Sequence, residues 1–205
     1  MNSLLKAFAM GAFAVAMLVV GTSQAKADPV TFSTTGVFSV SGTNVVNFTS
    51  PNGTTTITFN GTTNPVNTPA GTSFGDVVVT TTVPANLLGP SIGGNFTLNI
   101  IQVSPAGAGS LVATLSGTLG FNTGIATISF STTSLTIGGF TYTVNPVYTI
   151  ALPVTGVGGG AGTGTTTIQG TVVGGAVPEP ASMLLLGSGL VGLGTVVRRR
   201  YKAGK

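Results

Sequence analysis

The chain has no cysteine, histidine or tryptophan among its 205 residues, and charged side chains make up only 5% of it. Each absence removes a class of function. Without cysteine there is no disulfide to staple an exported domain, no thiolate nucleophile and no sulfur ligand for zinc. Without histidine, the usual general base near neutral pH is missing, and so is the imidazole metal ligand. The seven basic residues sit only at the two ends: Lys6 and Lys26 near the start, then Arg198, Arg199, Arg200, Lys202 and Lys205 at the finish. From Asp28 to Val177 there is no cationic side chain, and the only acids are Asp28 and Asp76. The overall charge of +4 and the pI near 9.9 therefore describe the ends, not the body. A body without cations cannot neutralise phosphates, so nucleic acid is excluded as its partner.

The same census bears on catalysis. One internal carboxylate, Asp76, cannot make a glycosidase pair, a Ser-His-Asp set, or a zinc or calcium cluster. No catalytic residue, metal site or cofactor is expected, and the chain does not read as an enzyme. Asp76 follows Gly75 and precedes Val77-Val78-Val79, a setting for a turn or strand-entry residue. The run Gly187-Ser188-Gly189-Leu190-Val191-Gly192 matches G-x-G-x-x-G letter for letter. It lacks both the leading strand of a βαβ unit and a downstream acid for a ribose, so dinucleotide binding is rejected.

What the ends contain is more specific. Residues 1–27 have the anatomy of a secretory signal peptide: Lys6 for the positive region, an apolar core from Ala7 to Val20, and Ala25-Lys26-Ala27 before Asp28. Ala25, Ala27 and Asp28 mark the expected cleavage site, and the Sec translocon and signal peptidase are the expected partners. At the other end, Gly174 to Val177 reads as a flexible tether. Residues 178–205 then divide into Pro178-Glu179-Pro180, an uncharged span from Ala181 to Val197, and the Arg198-Arg199-Arg200 cluster. As a helix the span would reach about 25 Å at roughly 1.5 Å per residue, the short end of what crosses a bilayer. The arginines resist transfer, so they are expected to act as a cytoplasmic stop with the body on the opposite side. Proline on both sides of Glu179 keeps the tripeptide out of the helix, where a processing enzyme could reach it. Ser188 and Gly192 form a small-xxx-small pair suited to close helix packing.

The order of tripeptide, Leu/Gly-rich span and basic stop at the C-terminus resembles the PEP-CTERM sorting signal of Gram-negative bacteria. The resemblance covers the tail alone. It implies recognition and cleavage by an exosortase, an integral-membrane transpeptidase, with transient membrane anchoring and delivery of the body to the cell surface or extracellular matrix. A long-lived single-pass anchor is the alternative reading of the tail.

The body, residues 28–173, reads as all-β. Asn44 to Thr49 and Thr54 to Phe59 flank Ser50-Pro51-Asn52-Gly53, a strong hairpin turn because Asn-Gly accepts positive φ. Phe96, Leu98 and Ile100 alternate with Asn95, Thr97 and Asn99, and the pattern returns at Leu111/Ala113/Leu115, Ile128/Phe130 and Phe140/Tyr142/Val144. Thr62 to Gly75, with Pro65 and Pro69, reads as a loop, and Thr155 to Gly164 is too glycine-rich to hold structure by propensity. About ten short strands with no internal helix predict an antiparallel β-sandwich or a jelly-roll-like variant. A β-solenoid is the runner-up, although no fixed repeat period is found.

The remaining signal is threonine, 35 residues in the chain. Much of that is β-propensity. A neutral hydroxyl surface nevertheless suits association with exopolysaccharide or with further copies of the chain, which makes a non-catalytic surface or matrix protein the expected role. A specific glycan-binding module is the alternative, and without tryptophan its stacking platform would need exposed Phe. Thr54, Thr56 and Thr58 make one short Thr-x-Thr row, with no flat repeated array evident as an ice-binding surface would require. Strand edges without Lys or Arg favour self-association.

Overall fold

The computed structural model describes residues 29–153, 162–174, 187–190 and 192. The expected signal peptide with Ala25, Ala27 and Asp28, the Pro178-Glu179-Pro180 tripeptide and Arg198 to Arg200 all lie outside these residues. The chain divides into two units, residues 1–174 and 175–205.

The first unit is built from β1 (Pro29–Phe38), β2 (Val45–Ser50), β3 (Gly53–Asn60), β4 (Thr63–Asn67), β5 (Ala70–Thr81), β6 (Ser91–Ser104), β7 (Gly107–Thr118), β8 (Ala126–Phe130), β9 (Ser134–Ile137), β10 (Phe140–Val144), β11 (Val147–Thr149) and β12 (Gly162–Gly174). They form two curled six-stranded sheets, ordered β11-β8-β7-β6-β1-β4 and β2-β3-β5-β12-β10-β9. Every pairing is antiparallel. That agrees with the sandwich and not with a solenoid, whose stacked coils pair in parallel.

Period-two alternation decides which side chains enter the core. Phe32, Phe38, Phe96, Leu98 and Ile100 of the first sheet face Ile57, Phe59, Phe74, Val77, Val79 and Tyr142 of the second, all buried. Rings from the two sheets interlock: Phe32 lies 5.4 Å from Tyr142 edge-on and 5.5 Å from Phe74, while Phe96, 5.1 Å from its same-sheet partner Phe38, lies 5.2 Å from Phe59 of the other sheet. Each such side chain contributes about 1.5–3 kcal/mol by burial, the main term in a domain without disulfides.

Two sequence expectations need correcting. Thr62 to Gly75, expected to be a loop, is β4 followed by the first half of β5. Pro65 is tolerated because β4 is an edge strand, paired only to β1, so the missing N–H costs no ladder bond. Asp76, expected at a turn or strand entry, lies inside β5 opposite Asn60 and Thr167. The register beside it slips: Thr167 pairs with Asp76 but Gln169 with Ser73, so β5 holds one extra residue there. Gly75 absorbs the bulge with a φ of 123°, which a side chain would resist.

Gly162 to Gly164, placed in a structureless stretch by propensity, begins β12. Glycine is needed here for closeness: a Cβ on Gly164 would sit 2.3 Å from the Ala151 carbonyl oxygen. The hairpin β2–β3 and the alternating faces of β6, β7, β8 and β10 stand as expected. Twelve strands stand where about ten were expected: β4 was hidden by its proline and the four-residue β9 by its brevity.

Candidate functional site

Two parts of the chain are candidates: the outward surface of the body and the tail. On the body the alternation that buries Phe and Val turns threonine outward. Thr56 of β3 is level with Thr80 of β5, which is level with Thr163 of β12, and the next row runs Thr58, Val78, Thr165. Farther along the sheet Thr171 pairs with Thr143, and Thr143 with Ser134. The short row seen in β3 alone thus continues over neighbouring strands, a register that only pairing could reveal, on a sheet that is curled instead of flat. Neighbouring hydroxyls bond along this face. Thr49 and Thr54 lie 3.2 Å apart, Thr136 and Thr141 3.1 Å apart, and Thr56 donates to the Asn47 amide oxygen at 2.7 Å.

Aromatic side chains point the other way. Of the nine phenylalanines between Asp28 and Val177, seven are buried, and so are Tyr142 and Tyr148. Phe48 and Phe121 are half-buried. The exposed ring platform that stacking on a sugar requires is not displayed by the described residues.

The polar groups inside the body serve the fold. Tyr142 donates its hydroxyl to Gln102 Oε1 at 2.7 Å, and Gln102 Nε2 donates to the Pro105 carbonyl at 2.6 Å, clamping β10 of one sheet to β6 of the other. Burial pushes the Tyr142 phenol up to about 12, because the phenolate would lose its hydration. Thr34 Oγ1 reaches across to the Phe74 carbonyl at 2.7 Å, and Thr55 Oγ1 to the Leu119 carbonyl at 2.9 Å. Tyr148 accepts from the Asn145 amide and donates to the Gln169 carbonyl. Its phenol is also raised by burial, and those two backbone contacts partly offset the shift.

Asp76, the one carboxylate among the described residues, accepts a 2.7 Å hydrogen bond from Thr167 Oγ1 across the β5–β12 ladder. No second acid, base or metal-ligating cluster adjoins it among those residues. The arrangement binds two strands together at the bulge.

In the second unit, residues 187–190 and 192 are helical, with Leu190 exposed. Among the described residues no helix is long and apolar enough to cross a membrane. The expected span from Ala181 to Val197, and the expected motif residues flanking it, fall mostly or wholly outside them.

Comparison with curated proteins and with solved structures finds no match to the chain. Residues 176–200 match the family model of the PEP-CTERM protein-sorting motif. The matched interval takes in the Pro-Glu-Pro tripeptide, the apolar run and the arginine cluster, and a tail of this kind implies export, sorting at the membrane and recognition by an exosortase. The chain is thus one that carries a PEP-CTERM sorting motif at its C-terminus.

Proposed function

We propose that the protein is a non-catalytic component of the cell surface or extracellular matrix of a Gram-negative bacterium. The Sec translocon exports it, signal peptidase cleaves after Ala27, and an exosortase cleaves its tail near Pro178-Glu179-Pro180. The released body then associates with exopolysaccharide or with further copies of itself. The observation that carries the sorting half is the match over residues 176–200. Support for the structural role comes from how the body spends its side chains. Most of its rings are interior, its single described carboxylate is tied to Thr167, and its described exterior is rich in neutral hydroxyl and amide groups, interspersed with exposed aliphatics such as Val40, Leu88, Val103 and Ile125. Such a surface has hydrogen-bonding capacity but nothing aligned for bond cleavage.

The test is the intact mass of the protein recovered from the cell surface. Loss of residues 1–27 and of the arginine-ended tail is expected. Replacing Pro178-Glu179-Pro180 by alanines should leave the full tail attached and the protein in the inner membrane. Surface delivery with tail removal in that variant would discard the motif as determinant, and an intact tail in the wild-type surface protein would favour a permanent anchor. A glycan array returning tight selectivity for one sugar would replace the matrix role with a dedicated lectin-like one.

A further inference from the structure

We infer that β2 is a homophilic edge, pairing antiparallel with β2 of a second copy about a two-fold axis at Phe48. The inference rests on the self-association reading above and gives it a surface.

The four sheet edges differ in how they are protected. β11 has three residues, β9 has four, and β4 carries Pro65. β2 has six residues, Val45-Val46-Asn47-Phe48-Thr49-Ser50, with no proline, no charge and no register slip against β3. It has none of the brevity, proline, charge or bulge that blunt an edge.

Its free hydrogen-bonding groups can be assigned. Phe59 N–H donates to the Asn44 carbonyl at 2.8 Å, which sets the alternation along the strand. Val46, Phe48 and Ser50 turn their backbone groups toward β3, and Val45, Asn47 and Thr49 turn theirs outward. Val45 is already served: its N–H donates to Thr43 Oγ1 at 3.2 Å, and that hydroxyl donates to its carbonyl at 2.8 Å. Asn47 and Thr49 remain, with two N–H and two C=O groups facing the edge. A two-fold axis at Phe48 sets Asn47 opposite Thr49 of the second copy, and the reverse, so all four groups on each side pair.

The side chain at the axis points to the same occupant. Phe48 lies on the inner face and packs on the core, yet it is only half-buried because no strand lies beyond it. In the paired arrangement the two Phe48 rings become direct cross-strand neighbours, at the position where backbones approach most closely, and cover each other. Charge does not oppose the approach, since the nearest described ionisable group, Asp76, is two strands away on β5. The axis closes on itself, so the product is a dimer with one continuous twelve-stranded sheet, not a fibre.

The test uses the full chain in detergent, followed by sedimentation over a range of concentrations. A concentration-dependent dimer is expected. Asn47→Pro removes the outward N–H and the solvent-exposed side-chain acceptor of Thr56, and spares the β2–β3 backbone ladder. Losing two of the four intermolecular hydrogen bonds should raise the dissociation constant about tenfold or more, with an unchanged circular dichroism spectrum. Because the chain has no cysteine, Phe48→Cys gives one thiol, which should form an intermolecular disulfide on oxidation, whereas Thr136→Cys on the opposite edge should not. A monomer at every concentration overturns the inference. So does a dimer that keeps its affinity in Asn47→Pro and fails to cross-link at Phe48→Cys, which would place the contact away from β2. Tail cleavage is read separately by mass, so failed pairing leaves the sorting reading standing.

Discussion

Thr55 and Thr56 are neighbours in β3 with the same side chain and different physical roles. Thr55 faces inward, is fully buried, lies 2.9 Å from the Thr81 hydroxyl and donates to the Leu119 carbonyl at 2.9 Å. Thr56 faces outward beside Thr80 and bonds Asn47. The interior of the body is aromatic and aliphatic, with a few hydroxyl and amide clamps between sheets. The exterior carries much the same polar residues, among exposed aliphatics such as Val103 and Val112, set where water can replace any of their partners. Composition alone merges these regions, and the alternation of strand faces separates them. Only the interior should be sensitive to single substitutions.

The largest break in that comparison is expected at Phe32, which is fully buried between Phe74 and Tyr142. Phe32→Ala removes most of a ring from the contact between the sheets and should cost about 3–5 kcal/mol in equilibrium urea unfolding. A cost below 1 kcal/mol would mean that the two sheets do not share this core.

Next in size is the clamp between Gln102 and Tyr142. Gln102→Leu leaves the Tyr142 hydroxyl buried without its acceptor and should cost about 1–3 kcal/mol. Adding Tyr142→Phe removes the stranded hydroxyl and should restore part of that loss. Fully additive losses in the double variant would show that the two groups do not act together.

Alkaline pH probes the same tyrosine without mutation. Its folded-state phenol stands at about 12 against an ordinary 10.0, so the folded protein holds the proton more tightly than the unfolded chain. The stabilisation is complete below pH 10 and is lost as pH rises toward 12. Melting temperature should fall across that window, and Tyr142→Phe should flatten the fall. Tyr148, raised in the same direction, leaves a smaller residual slope.

The alternating strands were legible because a half-buried strand writes its two faces directly into the sequence, as in Phe96-Thr97-Leu98-Asn99-Ile100. The tail was legible because its three parts are contiguous. What stayed hidden depended on partners distant along the chain. Pro65 looks like a loop residue until β4 proves to be an edge, and Gly164 looks flexible until the Ala151 carbonyl is found against it. Asp76 reads as a turn residue until its bulge is seen from the register with β12. The threonine rows belong to the same class, since Thr56 and Thr163 are separated by more than a hundred residues and meet only through Thr80. No local pattern encodes which strands become neighbours.

The smallest expected effect is the control that sharpens the comparison. Thr80→Val keeps the shape and β-branching of an outward side chain on β5 and removes a hydroxyl that water can serve, so stability should change by less than about 0.5 kcal/mol. Thr55→Val makes the same chemical change one strand away and facing inward. It strips the Leu119 carbonyl and the Thr81 hydroxyl of their buried partner, with an expected cost of about 1–2 kcal/mol. Measured by urea unfolding under one set of conditions, the difference between the two variants isolates burial from propensity. If Thr80→Val cost as much as Thr55→Val, the outer hydroxyl rows would themselves be part of what holds the sheet together, and the exterior could no longer be treated as a surface free to serve association.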